Sequence, residues 1–276
     1  MKSSRRVPLL LMLCIAWSAG VAAADPAAWH QGPAGKRRVA RLVGVSAAGL
    51  LYASSETLFK GGLAPDDCRW CAPPSFDRSV RSALVWTDRP RAKRLSDLTG
   101  YVTAPIFGVG ITALMAAQAD RDDSAFGRIL DDTLPIFEAV AYSELIVQAV
   151  KFSVGRQRPR VRFAEAPVSP SDEDNLSFFS GHTTLVFAIA TSAGVVAHRR
   201  GYATEPAVWS LGMGLAATTG FLRIAADQHY FSDVLLGAAF GATAGYLAPR
   251  LFAFDGGAHH LSWLPTGNGL ALVGTL

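Results

Sequence analysis

The sequence predicts an all-α fold, a transmembrane bundle of about six helices with its unusual polar residues gathered at one end. Three observations carry that expectation. Half of the 276 residues are hydrophobic and only 17% are charged, which is too apolar for an ordinary soluble domain of this length and suits several membrane helices. Apolar runs recur at about residues 39–59, 100–118, 133–150, 182–198, 207–222 and 233–252, most of them near the ~20 residues a helix needs to cross the hydrocarbon layer. The runs are rich in Ala, Gly, Ser and Thr, small residues that let helices pack closely inside a bilayer. The net charge of +4 is small, and no basic stripe points to a nucleic-acid partner.

Taken in order, residues 1–24 combine a basic start, an apolar stretch and Ala22-Ala23-Ala24 before Asp25, the pattern of a signal peptide or signal-like segment. Leu13 before Cys14 is too large for a lipoprotein cleavage site, so no lipid anchor is expected there. Residues 25–97 form an N-terminal helix and loop region in which 60–97, with "DDCRWCAPP" and "TDRPRAKRLSD", reads as a loop or short surface helices. Cys68 and Cys71, alone in an exported chain, are expected to form a local disulfide. No second cysteine pair or nearby histidine completes a metal-ligand set. Residues 98–255 form the main helical domain. Residues 256–276 are a tail whose turn signal at Thr266–Gly269 suggests a small hairpin. Glu56, Glu138 and Glu144 interrupt the apolar runs and must face the bundle interior or one another.

Topology gathers the polar residues. "AHRRG" at 197–201 ends the fourth run, and the positive-inside rule puts that end in the cytoplasm and the run's start, at His182, outside. The fifth run then delivers Arg223 outward, the sixth begins there at Asp233, and the third ends there at Lys151. One conflict stays open: "GKRRVAR" before the first run prefers the cytoplasm, whereas a cleaved signal would leave it outside.

Three segments meet at that outer face. In "KFSVGRQRPR" an apolar helix ends at Lys151, Gly155 loosens it, and Pro159 disfavours helix at Arg158. Arg and Lys at such an end suit an oxyanion, or form a plain basic flank of a membrane helix. In "SFFSGHTTLVFAIA", Ser180, Gly181 and His182 open a helix, where free backbone N–H groups and the dipole favour an anion; an N-cap serine beside an interfacial histidine is the plainer reading. In "RIAADQHYFSDVLLG", His229 and Asp233 are four residues apart, close enough for the carboxylate to hold one imidazole nitrogen and make the other a nucleophile. Arg223 adds a further cation, and Asp227 has no chemical role beyond a local pairing with an arginine. Two histidines and an aspartate on separated segments make zinc a minor reading.

Lys151 with Arg158-Pro159, Ser180-Gly181-His182, and Arg223 with His229 and Asp233 together resemble the three-part signature of the type 2 phosphatidic acid phosphatase and vanadium haloperoxidase superfamily, over residues of about 130 to 250. The resemblance implies that His229 attacks phosphorus, that Asp233 orients it, and that His182 protonates the leaving oxygen. It also implies that Lys151, Arg158, Ser180, Gly181 and Arg223 bind the phosphate oxygens, with no metal or other cofactor in the phosphatase branch. Phe179 stands where the family usually has proline, and Leu222 where it usually has serine.

The expectation that follows is a metal-independent phosphatase acting on a phosphomonoester or diphosphate, of a lipid such as undecaprenyl diphosphate or phosphatidate. It would lie in the inner membrane of a bacterial-type envelope with a periplasmic active site; the sequence names no protein partner. A soluble periplasmic acid phosphatase of the same superfamily, a vanadate-dependent haloperoxidase and a non-catalytic phospholipid-binding protein are the alternatives.

Overall fold

The computed structural model describes residues 32–120, 124–166, 169–254, 262–266 and 269–273. Residues 1–24, where the signal-like segment is expected, lie outside them. The elements are α1 (Gly32–Thr57), the single turn α2 (Lys60–Leu63), α3 (Ser75–Leu84), α4 (Arg89–Leu98), α5 (Ala104–Gln118), α6 (Ala125–Val154), the single turn α7 (Pro159–Arg162), α8 (Gly181–Arg200), α9 (Glu205–Ala225) and α10 (Phe231–Ala248). The expected terminal hairpin is present as β1 (Ser262–Thr266) paired antiparallel with β2 (Gly269–Val273).

α8 is the hub of an all-α bundle, packed against α10, α9 and α6. Its apolar face, with Leu185, Val186, Ile189 and Ala193, meets Ile136, Val140, Val208 and Ala216 in one buried core. Against α10 the approach is backbone to backbone. A Cβ on Gly237 would lie 2.7 Å from the Ser180 carbonyl oxygen, and one on Gly245 2.6 Å from that of Ala188. Small residues at four-residue spacing allow this, the device by which membrane helices gain contact without a hydrophobic drive.

Three helices, Arg89–Gln118, Ala125–Val154 and Phe231–Ala253, are long and apolar enough to cross a membrane. Large apolar side chains face outward, among them Leu50 on α1, Ile106 on α5, Leu211 on α9 and Leu235 on α10, each at least 56% exposed. So much outward apolar surface is costly in water and suits hydrocarbon. The chain is an integral membrane protein.

The glutamates that interrupt the apolar runs face inward. Glu138 accepts a two-pronged bond from Arg41 at 2.7 and 2.8 Å, and Arg38 makes the same fork with Asp131 at 2.8 Å. These pairs fix α1 parallel to α6, because Arg38 and Arg41 sit beside the first half of α6 while Tyr52 and Glu56 line a cavity with Glu144 and Lys151 of its second half.

Of the two readings of "TDRPRAKRLSD", loop or short surface helix, the structure takes the helix and lengthens it: from Arg89 it forms α4, which runs through a π-helical turn (Thr99–Thr103) into α5 as one helix. Asp88 caps it, accepting from the Arg91 N–H at 2.9 Å, and proline at the second helical position is tolerated because its missing N–H would be unpaired there anyway. Four lysines and arginines in ten residues hide this helix from a hydropathy reading.

Candidate active site

At the end of the bundle where α6 and α9 stop and α8 and α10 begin, a cavity of about 900 Å³ opens. Lys151, Arg158, Gly181, His182, Arg223 and His229 line it. Ser180 and Asp233, expected in the same site, stand behind that wall, both fully buried.

Local chemistry explains each placement. α6 ends because Gly155 takes the left-handed conformation (φ 59°), its N–H returning to the Lys151 carbonyl at 3.1 Å. Arg158, before proline, is extended (ψ 146°) and caps α7. Ser180 caps α8 by accepting from the Thr183 N–H at 3.4 Å, so its hydroxyl serves the helix rather than the cavity. Gly181 and His182 keep the orphan N–H groups of that first turn at the cavity wall. Arg223, in the last turn of α9, is 3% exposed; its Nη1 donates to Ser96 Oγ at 3.1 Å and to Asp97 Oδ1 at 3.4 Å.

His229 lies in the turn before α10. Its Nδ1 donates to the Ser177 carbonyl oxygen at 2.7 Å, which leaves Nε2 without a proton, 3.3 Å from Arg158 Nη1. Burial, and then the cations of Arg158, Arg223 and Lys151, push its pKa well below the usual histidine value. The imidazole is therefore neutral, with its lone pair on the nitrogen beside the cations.

The expected hydrogen bond from His229 to Asp233 is replaced. Asp233 Oδ2 is 3.8 Å from Nδ1, too far for a hydrogen bond, because it accepts instead from Ser177 Oγ at 2.6 Å and the Tyr230 N–H at 2.9 Å. Its other oxygen is ion-paired with Arg156. Asp233 thus acts one step back, anchoring Ser177, whose carbonyl holds the ring. Arg156 is 1% exposed, donates to Asp77 Oδ2 at 2.6 Å and Ser232 Oγ at 2.8 Å, and lies between the rings of Trp70 and Tyr230 at 3.9 and 4.3 Å. Removing one partner of such a buried network costs about 3–5 kcal/mol. Cys68 and Cys71, bridged with Cα atoms 5.3 Å apart, flank Trp70, whose N–H and carbonyl bond Gly155 and Gln157.

His182 is held differently. Its Nε2 is 3.0 Å from Asp97 Oδ1 and its Nδ1 is 3.3 Å from the Tyr101 hydroxyl. With a neutral ring, Nε2 donates to the carboxylate and Nδ1 accepts from tyrosine. Asp97, Tyr101, Ser177 and Arg156 escaped the sequence reading. Arg156, Ser177 and Asp97 fall inside the quoted "KFSVGRQRPR", "SFFSGHTTLVFAIA" and "TDRPRAKRLSD", yet none of them is singled out there. Asp227, at φ 59°, receives a fork from Arg81 at 2.7 Å and Arg89 at 3.3 Å, a structural pairing that ties α3 and α4 to the end of α9.

The profile of the PAP2 superfamily matches residues 132–256. A lipid A 1-phosphatase of Porphyromonas gingivalis is 36% identical over 102 residues, 37% of this chain and 20% of that protein. A lipid A 1-phosphatase of Rhizobium johnstonii is 32% identical over 124 residues, 43% of this chain and 47% of that protein. The chain thus spans less than half the length of either. Among solved structures, Aquifex aeolicus LpxE is 22% identical with a TM-score of 0.44, covering 63% of this chain and 92% of that one. The transmembrane PAP2 type phosphatidylglycerolphosphate phosphatase of Bacillus subtilis is 17% identical with a TM-score of 0.48, covering 80% of this chain and 96% of that one. The segment that matches the PAP2 superfamily profile, residues 132–256, holds Lys151, Arg158, Ser180, Gly181, His182, Arg223, His229 and Asp233.

Proposed function

We propose that this protein is a metal-independent phosphatase that hydrolyses a phosphomonoester or diphosphate carried by a lipid, through a phosphohistidine on His229. One observation carries the reading: the Nδ1 proton of His229 goes to the Ser177 carbonyl, so the unprotonated Nε2 lies in the same cavity as Lys151, Arg158 and Arg223, 3.3 Å from an Arg158 Nη1 that an incoming phosphate would draw away. These cations and the N–H groups of Gly181 and His182 would neutralise the phosphoryl oxygens, the main need of phosphoryl transfer. Nε2 attacks phosphorus, the bond from phosphorus to the alcohol oxygen breaks, and a protonated His182 gives that oxygen its proton. Tyr101, at 3.3 Å, is the weaker of the two contacts His182 would exchange to do so. Water then attacks the phosphohistidine, returns a proton to His182, and frees phosphate as the P–N bond breaks.

The unit carrying this chemistry is 98–255, extended by α4 back to Arg89. The site would face the periplasm, since Arg199 and Arg200 close the opposite end of α8. α1, parallel to α6, then begins on the cytoplasmic side. The lipid A 1-phosphatases among its relatives make lipid A one candidate substrate beside undecaprenyl diphosphate, phosphatidate and phosphatidylglycerol phosphate.

The test is phosphate release from this panel by detergent-purified protein, with H229A as control and an alkali-stable, acid-labile label sought on the enzyme after an alkaline quench. Release unaffected by H229A would end the catalytic reading, and activity freed by osmotic shock without detergent would end the membrane one.

A further inference from the structure

The cavity is far larger than a phosphate needs; about 900 Å³ suits a drug-sized ligand. Its lining is mixed in chemistry: Lys151, Arg158, Arg223 and the two histidines share it with Tyr52, Glu56 and Thr57 of α1 and Glu144 of α6. Glu56 is matched by Lys60 at 2.7 Å. Glu144 is not fully matched: it is 5% exposed, and its Oε1 has no hydrogen-bond partner among the described residues. A buried acceptor without a donor is costly, and native proteins keep such groups where something else completes them. Glu144 is also close to the phosphate position. A Cβ on Gly181 would lie 3.0 Å from Glu144 Oε2 and 3.2 Å from Lys151 Nζ, so the carboxylate and the phosphate-facing lysine flank one glycine at the start of α8.

Resting on the phosphatase reading, we propose that this acceptor wall is a subsite for the leaving alcohol, with Glu144 accepting from an O–H or N–H donor near the esterified carbon. The substrate is then a lipid whose phosphate hangs on a sugar or polyol headgroup. Diacylglycerol and polyprenol offer no donor beside the ester and would leave Glu144 unpartnered. Discrimination of this kind is strong because the wrong substrate strands a buried polar group.

Full-length protein in mixed micelles, assayed on a hexosamine 1-phosphate lipid, phosphatidylglycerol phosphate, phosphatidate and undecaprenyl phosphate, tests this. The wild type should prefer the first two, and which of them leads separates sugar from glycerol. In E144L the ratio of kcat/KM for donor-bearing over donor-free substrates should fall about 10- to 100-fold, as for a buried donor left without its acceptor. E144Q, which keeps an acceptor, should fall less. A parallel loss on all four substrates would make Glu144 a support for Lys151 and overturn the proposal, as would an unchanged ratio or a wild-type preference for donor-free lipids. Should E144L not fold, E144Q with Y52F decides on the same ratio. These outcomes leave the phosphatase reading standing; only a wild type inactive on every substrate removes both.

Discussion

His229 and His182 face one cavity, yet they are held by opposite chemistry. His229 donates to a backbone carbonyl, Ser177 at 2.7 Å, a partner that carries no charge and fixes only the tautomer. His182 contacts a carboxylate, Asp97 at 3.0 Å, which favours a proton on the ring against burial and the nearby Arg223, which disfavour it. A neutral imidazole beside cations is suited to attack; an imidazole backed by an anion is suited to carry a proton. The division of labour lies in the partners, since the two side chains are the same. Asp233, in motif position to serve His229, acts through Ser177: at 3.8 Å it makes no hydrogen bond to the ring, and its charge is met by Arg156.

The largest effect that would break this contrast is on His229 itself. H229A should abolish both phosphate release and any acid-labile, alkali-stable phosphoenzyme, whereas H182A should slow release by about 10²- to 10⁴-fold, the range of a lost general acid. Label trapped on H182A but not on H229A would confirm the roles; the reverse would exchange them. D97N keeps the shape but cannot stabilise an imidazolium, and a lost hydrogen bond to a charged group predicts about a 10- to 100-fold fall in kcat. A substrate with an acidic leaving group needs no proton and should be spared in D97N. An equal loss on that substrate would make Asp97 a holder of Arg223 instead.

The pH profile sharpens the contrast further. Because burial and neighbouring cations depress the His229 pKa, the nucleophile stays neutral through the ordinary histidine range. The acid limb of kcat/KM should therefore fall below about 6.5, and a limb at or above that value would contradict the neutral buried ring. Stability has the same sign. Between the unfolded value near 6.5 and the lower folded one the unfolded chain binds more protons, so stability drops as pH falls. In H229A the fall in melting temperature over that window should be shallower.

How much of this was readable beforehand follows the same division. Lys151, Arg158, Gly181, His182, Arg223 and His229 were found as polar residues at the ends of apolar runs, because helix termini announce themselves through Gly155, Pro159 and Ser180. The bundle itself was visible as runs of apolar residues. Asp97 and Tyr101 were not, because their helix begins in a charged stretch and reaches the site from another part of the chain. Ser177 could not be found by residue type, since it acts on His229 through its backbone. Arg156 and Asp77 meet only in the fold, and nothing in spacing alone pairs residues 79 positions apart.

The smallest predicted effect concerns the cation beside His229. Arg158 donates through Nη2 to Glu173 Oε2 at 2.5 Å and through Nε to the Glu173 carbonyl at 2.7 Å, and Lys60 is ion-paired with the same carboxylate. Glu173 thus presents an anion to an arginine that lines the cavity, and an incoming phosphate must compete with it. The carboxylate is 40% exposed, and solvent screening limits such a pair to about 0–1 kcal/mol. E173Q should therefore lower KM for a phosphate ester, and the inhibition constant of vanadate, by no more than about fivefold. The backbone bond to Arg158 Nε survives the substitution, so the guanidinium stays in place and KM should shift more than kcat. If KM rises instead, Glu173 holds Arg158 in position rather than competing for it, and the carboxylate belongs on the His229 side of the contrast as a positioning group.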